Sequence, residues 1–445
     1  MQQKKKTRVI VLGGGISGLA AAWYLSQTCE CEITLIEKQP RIGGFLRTDV
    51  HDGFQFEKGP RIFKTSRSEA LLRLIDELGL SSQRVVSAKD ANLRYIWRGG
   101  SLQLFPKNLA GFLSSPLTRP LIASLFSEWK KPSLAGDESI HAFVCRRFGE
   151  SVAKELFDPL IVGIYAGDIR KLSIKSCFSQ LKKWEEEHGS VTAGFLKSRS
   201  RADAIDTFGL PRSSLFSLKG GIETLIHTLK EKIPATIVCG KKVETLRFFK
   251  DTVRVNTQEE SWEADYLFSA LPSYELASYL KEVEPAAATT LSEIRFQDIA
   301  TVHLGFRSSV LETRGFGYLV PSHAKQEILG TVFDSNLFSN ESETRLSTML
   351  LLEGGDHEAH ALAAVKNHLG IHVPCDHLSV TESKWAIPQF EVGHEARMKG
   401  LERELANSLP RLTLVGNYLG GAAVSDAVLY SRKKAVEFSR KIQKL

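Results

Sequence analysis

Residues 8–37 read RVIVLGGGISGLAAAWYLSQTCECEITLIE, from Arg8 to Glu37. Arg8 to Leu12 is an apolar, β-branched run that suits a buried strand. Gly13, Gly15 and Gly18 follow as G-x-G-x-x-G. Ile16 to Gln27 then has helical composition, with no proline and three consecutive alanines. Ile33 to Ile36 is a second apolar strand and stops at Glu37. In this order Gly13 permits the tight turn, Gly15 lets a pyrophosphate approach the backbone, and Gly18 lets helix and strand pack closely. The helix start aims free N–H groups and partial positive charge at phosphate. Glu37, 19 positions after Gly18, can accept hydrogen bonds from both hydroxyls of an adenosine ribose. The stretch therefore predicts a strand–turn–helix–strand unit that binds a dinucleotide.

The residues after the acid narrow the nucleotide. Arg41 to Arg47 reads RIGGFLR, and this R-x-G-G-x-x-R resembles the FAD-binding signature of the amine-oxidase-like flavoproteins. Gly43 and Gly44 would bring backbone to the flavin side of the pyrophosphate, and Arg41 or Arg47 could pair with it. NAD enzymes of this type do not usually carry the extension, so the expected cofactor is FAD. Gly53 to Phe63 reads GFQFEKGPRIF, a strand ending in a Gly59–Pro60 turn, similar to the turn beside the flavin ring in that superfamily.

Bulk properties bound the class. A chain of 445 residues should form two or three packed regions. The formal net charge is +7, with basic residues scattered. Nucleic acid is not expected, while acidic small molecules or an anionic membrane surface suit that balance. Cys29, Cys31, Cys145, Cys177, Cys239 and Cys375 show no C-x-x-C and no paired framework, which points to free thiols in a reducing compartment. The basic N-terminus runs straight into the first strand and leaves no room for a signal peptide. No apolar run is long enough for a spanning helix.

Further along, Ser68 to Leu78 has amphipathic helical spacing, and Asn92 to Leu104 reads as a hairpin around Gly99–Gly100. Leu104 to Pro132 crowds apolar residues between Pro106, Pro116 and Pro120, with Lys107, Arg119, Lys130 and Lys131 interrupting or bounding them. It is too broken to span a bilayer but could lie on one. A self-packed helical subdomain or a tunnel entrance is the alternative. Ala235 to Phe248 is expected as a strand pair, and Gly220 to Leu229 as a helix. Near the C-terminus, Leu412 to Val415 predicts a strand, and Ser425 and Asp426 are good N-cap residues for a last helix. His357 and His360 lack an evident third ligand, so no metal is expected.

The most diagnostic later stretch is Ser139 to Gly194. It carries Arg146-Arg147-Phe148-Gly149, Asp158-Pro159-Leu160, Gly163-Ile164-Tyr165-Ala166-Gly167-Asp168, Leu172-Ser173, Gly189-Ser190 and Gly194. In this order it closely resembles the oxygen-dependent protoporphyrinogen oxidases. The match continues through Lys219-Gly220-Gly221, Ser269-Ala270-Leu271-Pro272, Trp385 to Phe390, Gly393-His394 and Gly416-Asn417-Tyr418, and thins only over 322–380.

The resemblance implies an α/β fold: a doubly wound, Rossmann-like FAD-binding domain (1–86, 217–280 and 389–445), a mixed-sheet substrate domain (87–95, 186–216 and 281–388) and a mostly helical, membrane-binding-type domain (96–185). It implies noncovalent FAD held by Gly13, Gly14, Gly15, Ile16, Ser17, Gly18, Glu37, Lys38, Arg41, Gly43, Gly44, Phe45, Gly59, Pro60, Arg61, Ile62, Val243, Trp385, Ala422, Ala423 and Val424. Arg94 would pair with a propionate and Gly167 would approach the macrocycle. No catalytic acid or base is nominated. The implied reaction is FAD-dependent oxidation of protoporphyrinogen IX to protoporphyrin IX with oxygen as acceptor, in porphyrin and heme biosynthesis. The alternatives are coproporphyrinogen III oxidation, a carotenoid desaturase or amine oxidase, and a non-enzymatic flavin binder. The Gly59-Pro60-Arg61 form favours protoporphyrinogen. Expected partners are the porphyrinogen and oxygen, with an anionic membrane surface and a homodimer left open. The expected location is cytoplasmic, with a peripheral seat on the inner face of a membrane also left open.

Overall fold

The computed structural model describes residues 6–106, 109–198, 207–338 and 342–443. Its central strand is Thr7–Leu12, in a five-stranded sheet whose neighbours all run parallel. Cys31–Ile36 and then Ala235–Val238 lie to one side, and Tyr266–Ser269 and then Leu412–Leu414 to the other. Successive side chains of the central strand enter different cores. Val9 and Val11 pack with Leu19, Leu25 and Val428, whereas Ile10 and Leu12 pack with Leu246, Leu276 and Leu401. Covering both faces is what an apolar run without alternation requires. Each such fully buried side chain contributes roughly 1.5–3 kcal/mol.

Residues 235–248 depart from the expected strand pair. Ala235–Val238 joins the parallel sheet beside Cys31–Ile36. Val243–Phe248 instead opens a three-stranded antiparallel sheet with Val253–Thr257 and Ser261–Ala264. Alternation along a strand specifies its faces, not its partner. The free edge of Cys31–Ile36 captures the first segment before the chain turns.

A second, seven-stranded sheet has the order His377–Pro388, Phe296–Phe306, Thr344–Leu351, Ile328–Phe333, Gly317–Leu319, Arg94–Arg98, Ser101–Leu104. Only the contact of Gly317–Leu319 with Arg94–Arg98 is parallel. The last two strands form the expected hairpin, with φ of +60° at Gly99 and +77° at Gly100, the geometry of a two-residue turn that matches strand twist. Helix His357–Leu369 covers one face, placing Ala361 and Val365 among Val302, Leu304 and Leu346.

Between Leu109 and Ser198 the described chain is mostly helical. Its core contains Phe143, Val144, Ile161 and Leu172, together with a balanced set of charges. Arg147, Glu185 and Glu128 are fully buried, and Lys182 nearly so. Arg147 bridges Glu185 and Glu128, Lys182 donates to Glu185 at 2.6 Å, and Arg146 reaches Glu185 and Glu138. Glu128 also accepts from the Val191 backbone at 3.0 Å. This hub ties helix Arg119–Glu128 to Ile140–Phe148 and Ser179–His188. Among the described residues no helix is long and apolar enough to cross a membrane.

Candidate functional site: a dinucleotide cradle and a cationic recess

The glycine turn is built as the sequence predicts. Gly13 has φ +95°, a backbone state that costs other residues strain. A Cβ on Gly18 would lie 1.9 Å from the Gly13 carbonyl oxygen, whereas a Cβ on Gly15 would meet nothing within 4 Å. The turn is therefore closed on its helix side and open where a phosphate would approach. Helix Ile16–Thr28 has no side-chain cap, so the first-turn N–H groups at Ile16, Ser17 and Gly18 face that opening uncapped. The buried carboxylate of Glu37 accepts from Gly14 N at 2.6 Å and from Gln39 N at 2.7 Å. Those bonds fix its orientation and leave lone pairs for ribose hydroxyls.

The R-x-G-G loop docks directly on the turn. Gly43 N donates to Gly14 O at 2.7 Å. Arg41 donates to Gly44 O at 2.8 Å and to Ile42 O, and lies 3.5 Å from Glu223. Its guanidinium thus holds the loop itself in shape. Arg47 pairs with Asp49 and Lys38 with Glu275. Phe45 stays exposed, and its carbonyl seats Gly59, where a Cβ would fall 2.2 Å away. Pro60 is exposed and Ile62 half-buried beside it. Val243 is buried, and its carbonyl accepts from the Tyr279 hydroxyl at 2.8 Å.

The last helix, Val424–Ile442, provides a second uncapped start. Its N-cap is Ala423, not Ser425 or Asp426. Both polar residues lie in the first turn, where Ser425 faces the Leu71 backbone and Asp426 packs on Gly421. Ser431 donates to Ser17 O and Ser439 to Thr28 O, so this helix runs parallel to Ile16–Thr28. Val424 precedes Ser431 by seven residues, which staggers the two N-termini by about 10 Å. Ala422 and Ala423 lead into that start without a side chain that could block it. The open Gly15 face, the fixed acid and two staggered helix starts fit an extended flavin dinucleotide. Helix starts stabilise anionic groups. His394, the histidine nearest in sequence to this end, is buried and bonded to the Tyr418 carbonyl at 2.7 Å, so it is not free to link a ring covalently.

Arg61 turns toward the second sheet and pairs with Asp334 at 2.9 Å. Asp334 accepts from Ser347, which contacts His303 Nδ1 at 2.9 Å, and His303 Nε2 meets Thr381 at 3.2 Å. Burial, then Arg61, pulls the His303 pKa down to about 2, so this ring is a neutral hydrogen-bonding strut.

Gly167 ends the segment after helix Asp158–Tyr165, and a Cβ there would lie 2.4 Å from Gln389 Oε1. Gln389 in turn donates to the Tyr165 carbonyl at 2.9 Å. Trp385 adopts φ +53°, an uncommon state for a bulky residue, held by its backbone N–H to Asp298 at 2.6 Å and by a tilted ring contact with Tyr274 at 4.5 Å between centroids. Asp168, Leu172, Trp385 and Gln389 line one cavity of about 350 Å³. The strand end and the Gly167 loop therefore converge, and Arg94 does not line that cavity.

Arg94 begins its strand, exposed, with its guanidinium 5.0 Å from the Phe316 ring centre. Sequence reasoning singled out Arg94 alone and missed its companions. Burial and then Arg67 lower the Arg94 pKa. Burial, then Arg94 and Arg67, lowers that of Lys64. The three cations crowd one recess that is ringed by protein yet open to water, and none pairs with an acid among the described residues. Arg67 also acts on Tyr165 and on Asp426, whose carboxyl burial pushes above the ordinary range. The recess thus adjoins both the Gly167 helix and the start of the last helix.

Comparison with known proteins agrees with this construction. Residues 16–437 match the family described as flavin containing amine oxidoreductase. The chain is 34% identical to a protoporphyrinogen oxidase from Bos taurus, over 96% of this chain and 97% of that one. It is 27% identical to a coproporphyrinogen III oxidase from Bacillus subtilis (strain 168), over 95% and 96%. A crystal structure from Exiguobacterium sp. 255-15 has the same fold, with a TM-score of 0.84 at 23% identity, covering 99% of this chain and 100% of that one. With cradle, recess and near full-length similarity in agreement, the chain belongs to the flavin-containing amine oxidoreductases, among the protoporphyrinogen oxidases.

Proposed function

We propose that the protein oxidises protoporphyrinogen IX to protoporphyrin IX in porphyrin and heme biosynthesis, with oxygen as the final electron acceptor. The reading rests on the near full-length similarity to protoporphyrinogen oxidases together with the grouping of Lys64, Arg67 and Arg94, none of them salt-bridged among the described residues, near Asp426 at the last-helix start. That grouping suits a bulky apolar ring with carboxylate arms. When bound, FAD supplies the hydride acceptor. The chain's own work is binding and orientation. Arg94 offers a planar two-toothed contact to a propionate, and Arg67 and Lys64 add charge that holds a second carboxylate. Gly167 is pressed against Gln389 and Leu172, so only glycine fits there and the segment is held close to the strand end that carries Trp385. A strong base is not required, since the pyrrole nitrogen sheds its proton as the ring conjugates.

Side-by-side turnover of protoporphyrinogen IX and coproporphyrinogen III, with peroxide detection in air and without oxygen, tests the reading. Preference for the first with peroxide formed supports it, and failure to bleach the flavin with either substrate overturns it. The same three cations also suit the four carboxylates of coproporphyrinogen III, which is the second reading. A clear preference for coproporphyrinogen would establish that alternative.

The protein also seats peripherally on the inner, cytoplasmic face of an anionic membrane. Leu113 and Trp129 are 59% and 63% exposed, and Leu104, Phe105 and Leu134 are exposed as well. Lys130 lies 5.2 Å from the Trp129 ring centre, placing a cation where lipid headgroups would be. Leu117, by contrast, is core, and Leu121 and Leu125 pack on it, so only part of the 104–132 segment is available. Lys107 and the side chains of Leu109 and Phe126 lie outside the described residues.

A further inference from the structure

Away from the cradle, helix Ile140–Phe148 sets His141 and Cys145 one turn apart on one face. Gly149, at φ +94°, breaks the helix and returns the chain so that Glu150 closes on the same face. His141 Nε2 lies 3.2 Å from Glu150 Oε2 and 3.5 Å from Cys145 Sγ, and Cys145 Sγ lies 2.9 Å from Glu150 Oε2. We propose that His141, Cys145 and Glu150 form a binding site for a divalent transition-metal ion, with zinc as the fitting metal.

Geometry carries the assignment. With metal–nitrogen, –sulfur and –oxygen bonds of about 2.05, 2.3 and 2.1 Å, a tetrahedral centre needs edges of about 3.4 Å for N···O and about 3.6 Å for both N···S and S···O. The first two edges are already within a few tenths of an ångström. Only the sulfur–carboxylate edge must open, by about 0.7 Å on the same bond lengths. Glu150 can supply that movement, since its side chain is 64% exposed. The donor set mixes one imidazole, one thiol and one carboxylate, which suits zinc and disfavours magnesium or calcium, whose ligands are oxygens. Binding replaces the thiol proton by the metal and releases that proton to solvent.

The site is coupled to the catalytic side by backbone. Ile140 N donates to Leu172 O at 2.8 Å and His141 N to Ile169 O at 3.0 Å. The metal would therefore brace the helix that holds the segment following Gly167. This inference stands independently of the substrate assigned above.

The test uses the full-length, FAD-loaded, reduced protein stripped of metal. Zinc chloride alone is titrated against a competing indicator, and iodoacetamide labelling of each cysteine is mapped with and without zinc. The expected result is one equivalent bound tightly enough to compete with the indicator, with Cys145 protected from alkylation. Cys145→Ser and His141→Ala should each weaken binding at least about a hundred-fold, beyond the usual cost of changes outside the ligand shell, with flavin content unchanged. The site is overturned if the wild type binds less than one equivalent at micromolar zinc. It is equally overturned if zinc survives Cys145→Ser unchanged, as it would if held at Cys29 and Cys31, whose sulfurs are 3.2 Å apart.

Discussion

Replacing Arg94 by alanine should raise the KM for a porphyrinogen without removing the flavin. The guanidinium has no acidic partner among the described residues and sits beside Arg67 and Lys64, so its charge is available to a ligand. A hydrogen bond to a charged group contributes roughly 1.5–3 kcal/mol, which is about ten- to a hundred-fold in affinity. Removing one of three mutually repelling cations relieves the other two, so the lower half of that range is expected. Stability should change little, because the exposed contact with Phe316 is worth about 0.5–1 kcal/mol. Lysine should restore only part of the affinity, since it lacks the planar fork. The recess is open to water, so the wild-type KM should also rise with salt, and less steeply in Arg94→Ala. The assay is steady-state turnover at low and high ionic strength, alongside flavin absorbance per protein. An unchanged KM in Arg94→Ala refutes a role in substrate binding, and loss of flavin shows the role to be structural.

Other outcomes follow from the same geometry. Glu37→Ala strands the Gly14 and Gln39 N–H donors, each at about 1–3 kcal/mol; the purified variant should melt earlier and carry less flavin, and unchanged stoichiometry would count against the site. Acid precipitation should release all the flavin from the wild type, and flavin retained in the pellet would contradict noncovalent binding. Burial pushes the Glu57 carboxyl from its ordinary 4.5 up to about 7, so the folded state binds the extra proton and stability falls as pH climbs between those values. The effect is up to about 3 kcal/mol, and Glu57→Gln should flatten it in denaturant melts at pH 5 and 8; identical slopes would show that burial does not perturb this group. Replacing Leu113 and Trp129 by serine should reduce co-sedimentation with anionic liposomes, and a wild type that never sediments would remove the membrane seat.

What was legible in the sequence was local. The turn at Gly13, the close contact at Gly18 and the acid at Glu37 all follow from neighbours within thirty residues, where backbone sterics decide. Lys64 and Arg67 were not legible as partners of Arg94, because only the folded chain, with Phe63–Lys64 paired to Leu215–Leu218, brings them to its recess. Ser425 and Asp426 have the chemistry of caps, yet both fall in the first turn, where Ser425 accepts from the Leu71 backbone and Asp426 reaches back to the backbone of Ala423 beside Gly421. The strands within 235–248 were recognisable, but their partners were set by which sheet edge lay open. His141 and Cys145 stood at helical spacing in plain sequence, while the return of Glu150 depended on a break at Gly149.

The buried charge hub of the helical region constrains how this sequence can drift. Deleting one member of a buried ion pair costs about 3–5 kcal/mol, whereas replacing the whole set with well-packed apolar residues is often neutral or better. Every single step away from Arg147, Glu185 or Glu128 is therefore blocked, although distant combinations are open. The cost of a substitution at one of these positions depends on what occupies the others, so their effects cannot be added. Descendants of this chain should keep the hub intact or lose it all at once. Helix Arg119–Glu128, fastened by its last residue, is bound to the same fate, while its exposed face remains free to vary.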